Sequence, residues 1–237
     1  MKAGLIAAGH GERLRGAGIA APKPLVRVAG KALIDHVLDA AAAAGIGEAA
    51  CIFNAEHPAD AVEAHCRARR GAPRLAIVRR TTPSSMESLF TLAPQFADGR
   101  FLLLTVDALF APHVLRAFLG AAEQLRDADA VLAVTDFIDD EKPLYAALDA
   151  TGRVTALGDV AAGSPLITAG FYVFDPRVFA EIDAARAVPL TALRQFLAHL
   201  LVRGYAIYGA PIGKTLDVDR PQDLAAAEAF VERGFSA

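Results

Sequence analysis

The chain of 237 residues has no tryptophan, two cysteines and only 7% aromatic residues. Two thiols, Cys51 and Cys66, make neither a disulfide framework nor a metal-binding spacing, and they fit a reducing compartment. An excess of one charge is also missing: 24 Lys and Arg against 27 Asp and Glu leave a net charge of −3. That excludes the electrostatic footprint of a bulk nucleic-acid binder and favours small ligands. No uncharged apolar stretch approaches the roughly 20 residues of a membrane span. The opening run Met1-Lys2-Ala3-Gly4-Leu5-Ile6-Ala7-Ala8-Gly9 is short, broken by glycine and unlike an export signal. A cytoplasmic location is therefore expected, with no membrane and no nucleic acid among the partners. With 54% hydrophobic and 22% charged residues, a disordered or low-complexity chain is excluded as well.

What is present is an alternation of strand-length apolar runs with segments of helical period, the pattern of a mostly parallel sheet covered by helices. Strands are predicted at 2–8, 48–53, 75–78, 101–106, 130–135 and 205–210. Helices are predicted at 33–44, 59–69, 85–92, 112–125, 191–202 and 222–233. The run Phe101-Leu102-Leu103-Leu104-Thr105-Val106 is nearly all apolar, as a strand buried on both faces should be, and Asp107 ends it. Between 144 and 174 the runs 144–148, 154–157 and 171–174 are short and separated by turn residues such as Asp149-Ala150-Thr151-Gly152. They read as a small antiparallel elaboration, spanning about 140–175, on a βα core. No repeat and no Pro/Gly/Ser-rich linker interrupts the chain, so a single α/β domain over 1–237 is expected, Rossmann-like with helices on both faces of the sheet.

The first strand runs into Ala7-Ala8-Gly9-His10-Gly11-Glu12-Arg13-Leu14. Ligands of open α/β sheets sit beyond the carboxyl ends of strands, and glycines there let backbone N–H groups approach an anion. Neither familiar phosphate motif is satisfied. A dinucleotide fingerprint needs glycine where Leu14 stands, and a Walker loop from Gly11 to Gly16 needs lysine where Ala17 stands. An NAD-dependent oxidoreductase is disfavoured on that ground. Further on, Pro22-Lys23-Pro24-Leu25 holds a lysine between two prolines, which stiffen the backbone and aim its ammonium at one place.

Acidic residues supply the complement. Asp107, at the carboxyl end of the most apolar strand, has the rigid and partly solvated setting of a hard-metal ligand. In Gly213-Lys214-Thr215-Leu216-Asp217-Val218-Asp219-Arg220-Pro221, Asp217 and Asp219 share a side if the segment is extended, just before a helix that Pro221 can open. Asp219 reads most simply as the organiser of that turn or the cap of that helix. Asp217 is the better ligand candidate. Ser84 and Ser85 lie in a hydroxyl-rich loop that enters a helix, where either can serve as N-cap.

Taken together, Leu5-Ile6-Ala7-Ala8-Gly9-x-Gly11-x-Arg13-Leu14, Pro22-Lys23-Pro24-Leu25 and Gly30-x-x-Leu33-Ile34 resemble the signature of the sugar-phosphate nucleotidyltransferases. That resemblance implies a glycosyltransferase-A-like mixed sheet, an NTP co-substrate, Mg²⁺ and a phosphorylated small-molecule acceptor. By the same resemblance, the backbone of Ala7, Ala8, Gly9 and Gly11 and the side chain of Arg13 hold the triphosphate. Lys23 neutralises charge near the α-phosphate, Asp107 and Asp217 hold Mg²⁺, and Ser84 and Ser85 contact the base and ribose. Thr168 stands on the strand that carries an Asn or Thr toward the acceptor.

The pattern departs in places. Val106 stands before Asp107 where relatives usually have glycine. Glu141-Lys142-Pro143 has the letters of the family's sugar-phosphate lysine motif but precedes the Tyr145 strand, and Leu157-Gly158-Asp159 occupies the expected place. Lys142 and Lys214 are both candidates for the acceptor anchor. The expected activity is Mg²⁺-dependent transfer from NTP to a sugar 1-phosphate, with pyrophosphate released. The alternatives are a cytidylyltransferase acting on phosphocholine-like or polyol phosphates and a nucleotide-sensing protein without turnover.

Overall fold

The structure, a computed structural model, describes residues 1–56, 58–137 and 143–235. Its strands in chain order are β1 (Lys2–Ala7), β2 (Arg27–Val28), β3 (Lys31–Ala32), β4 (Glu48–Phe53), β5 (Arg74–Arg79), β6 (Phe101–Thr105) and β7 (Ala108–Leu109). They continue with β8 (Ala130–Thr135), β9 (Ala146–Leu148), β10 (Val154–Leu157), β11 (Ile167–Phe174), β12 (Ile207–Pro211) and β13 (Leu216–Asp217). The helices are α1 (Glu12–Gly16), α2 (Leu33–Ala43), α3 (Ala59–Ala68), α4 (Ser85–Leu92), α5 (Pro112–Gln124), α6 (Ile182–Arg186), α7 (Leu193–Val202) and α8 (Pro221–Glu232). The elements expected from periodicity are therefore present, with ends shifted by at most two residues except at β11, which starts four residues before the expected run 171–174. Unforeseen are the short β2, β3, β7 and β13 and the one-turn helices α1 and α6.

Seven strands form one sheet in the order β12, β8, β11, β6, β1, β4, β5. Neighbours run parallel except at β11, which is antiparallel to both β6 and β8. This is the mixed α/β sheet that the resemblance implied. The apolar runs are long because both faces are covered. Leu5, Leu102, Leu104, Phe171 and Val173 enter one core with α2 and α5, whereas Ile6, Leu103, Tyr172 and Phe174 enter the other with α4 and α7. Successive residues of a strand point to opposite faces, so an uninterrupted apolar string is what two covered faces require. In α2 the buried Leu33, Ile34, Val37, Leu38 and Ala41 fall on one helical stripe, which packs beside α5.

One expectation is corrected. The run 171–174, expected in the antiparallel elaboration, is the end of an eight-residue strand inserted in the middle of the main sheet, between β6 and β8. Only β9 and β10 form the separate two-stranded ribbon. The reason lies in burial: Phe171, Tyr172, Val173 and Phe174 are all covered, whereas β9 and β10 contain half-buried or exposed residues.

Registers of Ala7 with Phe53 and of Ile6 with Thr105 align the carboxyl ends of β1, β4 and β6 on one edge of the sheet. The antiparallel β11 brings its amino end, with Thr168, to the same edge. A bulge between Thr168 and Tyr172 bends β11 there. Gly170 sits in the bulge at φ 78°, and a Cβ on it would lie 3.0 Å from Thr105 Oγ1 and 3.2 Å from Ala108 Cβ. Gly170→Ala is expected to lower the unfolding free energy by about 1–3 kcal/mol through backbone strain and crowding, measured by urea denaturation.

Candidate active site

Beyond Ala7 the chain turns through Gly9 and Gly11 into α1. Gly11 has φ 59° and ψ 35°, and a Cβ there would stand 3.1 Å from Lys23 Cβ. Glycine at this position thus serves both the left-handed backbone and the close passage of the Pro22–Pro24 segment. Asn54, buried just after β4, ties three loops together. Its Oδ1 accepts from the Glu56 backbone N–H and the Thr81 hydroxyl, each at 2.8 Å, and its Nδ2 lies 3.0 Å from His10 Nδ1. An Asn following an apolar strand was the available signal for this residue, and sequence reasoning passed over it.

Lys23 opens a single 3-10 turn between its two prolines and is only 8% exposed. Its Nζ donates to Asp107 Oδ2 at 2.7 Å and also to Asp219 Oδ1. Arg13 Nη1 stands 3.8 Å from the other oxygen of Asp219. Burial works against the ammonium, but the charges and hydrogen bonds of Asp107 and Asp219 outweigh it and raise the Lys23 pKa above the ordinary lysine value. Burial likewise opposes ionisation of Asp107. The Lys23 charge and hydrogen bond, helped by the Thr105 hydroxyl, hold its carboxyl below the usual carboxylate value of 3.8.

Two strands of two residues complete the arrangement. β13 runs antiparallel to β7, pairing Leu216 with Leu109 and Asp217 with Ala108, and the Val218 N–H donates to the Asp107 carbonyl at 3.1 Å. Asp217 is thereby set beside the Asp107 segment. Leu216 and Val218 are buried, so the alternation turns Asp217 and Asp219 to the open side, as the extended spacing predicted. The expected capping role of Asp219 goes elsewhere. Asp223 accepts from the backbone N–H groups of Asp219 at 3.0 Å and Arg220 at 2.7 Å, which leaves the Asp219 carboxylate to Lys23 and Arg13.

These groups line a cleft of about 280 Å³ whose walls include Arg13, Ser85, Thr105, Asp107, Thr168, Tyr172, Arg194, Asp217 and Asp219. Ser85 Oγ accepts from the Leu193 N–H at 3.0 Å and so joins α4 to α7 at the cleft. Ser84 is instead the N-cap of α4, its Oγ accepting from Glu87 N–H at 3.2 Å. Tyr172 is buried, which pushes its phenol up to about 12. Lys214 does not reach this wall: its Nζ lies 4.0 Å from the centre of the Phe137 ring and 5.5 Å from that of Phe230. Lys142 lies outside the described residues. Arg194, at the start of α7, is a cleft cation that sequence reasoning missed. A larger hollow of about 620 Å³ opens at the opposite edge of the sheet, where Lys2, Glu48, Asp98 and Arg100 mix both signs of charge.

Paired carboxylates facing a lysine and an arginine, beyond the carboxyl ends of parallel strands, are suited to handling a polyphosphate. Residues 2–233 match the family model for nucleotidyl transferases. The chain belongs to that family and is a nucleotidyltransferase. It is 30% identical to the N-acetylmuramate alpha-1-phosphate uridylyltransferase of Caulobacter vibrioides, over 95% of this chain and 94% of that protein. It is 29% identical to the bifunctional IPC transferase and DIPP synthase of Rubrobacter xylanophilus, over 97% of this chain and 51% of that one. Among solved structures, the inositol-1-phosphate CTP transferase from T. maritima superposes with a TM-score of 0.83 at 19% identity, covering 100% of this chain and 98% of that one. UDP-glucose pyrophosphorylase complexed with UDP-glucose gives a TM-score of 0.80 at 15% identity, covering 98% of each chain. At these identities the two structures speak for the fold.

The ion pairs give a stability prediction. Lys23→Met is expected to cost about 1–3 kcal/mol at pH 7, because Asp107 loses the group that compensates its burial. Asp107 has a depressed folded-state pKa, so its contribution is present above 3.8 and is lost as pH falls through the folded value. The gap between wild type and variant, followed by urea unfolding, therefore narrows below pH 4.

Proposed function

We propose that the chain is a Mg²⁺-dependent nucleotidyltransferase that joins NTP to a sugar 1-phosphate and releases pyrophosphate. The observation that carries this reading is the β7–β13 pairing, which brings Asp217 beside the Asp107 segment in a cleft that Arg13 also lines, with Lys23 buried against Asp107. The relatives' names support the acceptor class. N-acetylmuramate 1-phosphate and inositol 1-phosphate each bear a phosphate monoester on a ring carbon. The alternative pairing is CTP with a phosphocholine-like or polyol phosphate.

The donor set suits magnesium. Asp107 is held ionised by Lys23, Asp217 faces the open cleft, and both offer hard oxygen ligands. Among the described residues no group of three or more His, Cys, Asp or Glu is clustered for a metal. Two carboxylates with phosphate and water oxygens completing the shell is a Mg²⁺ pattern rather than a closed protein cage. When bound, the ion would offset phosphate charge and orient the α-phosphate.

In the reaction an oxygen of the acceptor phosphate attacks the α-phosphorus in line. A new P–O bond forms, the bond to the bridging oxygen of pyrophosphate breaks, and pyrophosphate departs with the electron pair. The nucleophile is already an anion at neutral pH, so no strong base is needed. Repulsion and misalignment are the obstacles. Lys23, aimed by its prolines and kept charged, neutralises the α-phosphate region. Arg13 and the glycine-loop N–H groups hold the outer phosphates. Ser85 lies at the nucleoside side of the cleft, where Ser84 contributes as the cap that shapes the loop. Thr168 and Arg194 face the acceptor, with Arg194 supplying the cation for its phosphate.

A pyrophosphate-release screen crossing four NTPs with sugar 1-phosphates, phosphocholine and polyol phosphates, with and without Mg²⁺, tests this reading. Turnover with one ring-borne phosphate, lost on chelation, is expected; silence in every combination would instead favour a nucleotide-sensing protein. Asp107→Asn should lower kcat at least about 100-fold while circular dichroism stays native. Arg194→Ala should raise the acceptor KM about tenfold and leave the NTP KM unchanged.

A further inference from the structure

Lys23 and Arg13, the cations assigned above to the triphosphate, already hold an anion of the protein's own. Asp219 presents one carboxylate oxygen to Lys23 Nζ and the other to Arg13 at 3.8 Å. Neutralising Lys23 does not require this, because Asp107 alone sits 2.7 Å from the same ammonium. Capping α8 does not require it either, since Asp223 accepts the N–H groups at that helix start. The second carboxylate instead cancels the positive charge of the clamp. Two cations face two carboxylates, and on the same cleft Asp217 is matched by Arg194. An incoming polyphosphate therefore meets no net positive seat.

We propose that Asp219 is an internal stand-in for phosphate: its carboxylate occupies the seat between Arg13 and Lys23, and a polyphosphate binds only by displacing it. The inference rests on the reading of Arg13 and Lys23 as the triphosphate cradle. The parts fit a displaceable anion. Lys23 is 8% exposed and keeps Asp107 when Asp219 leaves, while Asp219 and Arg13 are 45% and 52% exposed and open to the cleft. Displacement thus needs a side-chain rotation and no unfolding. A ligand that arrives with a divalent cation compensates the acidic groups and is favoured, whereas free pyrophosphate, inorganic phosphate and metal-free NTP are resisted. Asp219 is in this sense a positioning residue, which acts on substrate through Lys23 and Arg13.

The test is calorimetric titration of the full chain with inorganic tripolyphosphate in EDTA. Removing the negative charge that occupies the seat, in a half-exposed setting, should tighten binding on the order of tenfold in Asp219→Asn. Asp219→Glu, which keeps the charge, should bind like wild type. A residue that merely aimed Lys23 would give the opposite sign, so equal or weaker binding in Asp219→Asn overturns the proposal. Should the amide variant not fold, Asp219→Ser is read by the same titration. In parallel, Lys23→Ala and Arg13→Ala are titrated with NTP and Mg²⁺. If both bind as wild type does, the cradle reading itself fails and takes this inference with it. If they weaken NTP binding and Asp219→Asn does not tighten tripolyphosphate, only the inference fails.

Discussion

An ammonium group cannot be buried without a compensating anion, and Lys23 meets that requirement with carboxylates from two distant parts of the chain. The ion cluster therefore constrains the rest of the cleft. β6 must end where its next residues bring Asp107 over the glycine loop. β13 returns beside β7, and Asp219 thereby reaches the same nitrogen. Gly11 must lack a side chain because the Lys23 backbone segment passes against it. Each condition is met by a short local device, an edge strand of two residues or a single turn. Such devices have little stability of their own and persist because the sheet beneath them is buried on both faces.

The same cluster keeps charge in reserve. Lys23 remains protonated and Asp107 remains ionised across the neutral range because each stabilises the charged form of the other. Chemistry that is limited by anion repulsion needs fixed charge of this kind, already oriented before the reactants meet. Asn54 serves the architecture similarly without charge. One buried amide takes the Thr81 hydroxyl and the Glu56 N–H, and stands against His10, so the loops that end β1, β4 and β5 are held as one rim.

Much of the fold and part of the site could be read from order and spacing alone. The apolar runs and helical stripes located the main elements, because burial on one or two faces leaves a direct periodic trace. Arg13, Lys23, Asp107 and Asp217 stood out through neighbouring glycines, prolines and strand ends; Arg13, Asp107 and Asp217 line one cleft, and the buried Lys23 reaches it through Asp107. Asp219 and Arg194 were not legible in that way. An acid before a helix reads as a cap until the structure reveals that Asp223 has taken that task, and an arginine at a helix start carries no pattern that separates it from a solvated one. Lys214 stands against the Phe137 and Phe230 rings, contacts that spacing along the chain does not reveal.

Periodicity and local stereochemistry thus determined which segments are strands and helices, where the glycine loop lies and which residues can carry the chemistry. Tertiary structure alone decided the strand order that places 167–174 inside the main sheet, the pairing of β7 with β13 and the choice of partners for Lys23. The physical reason is range. Side-chain alternation is a property of neighbours along the chain, whereas sheet order and ion pairing depend on which distant surfaces can be buried together with their charges matched.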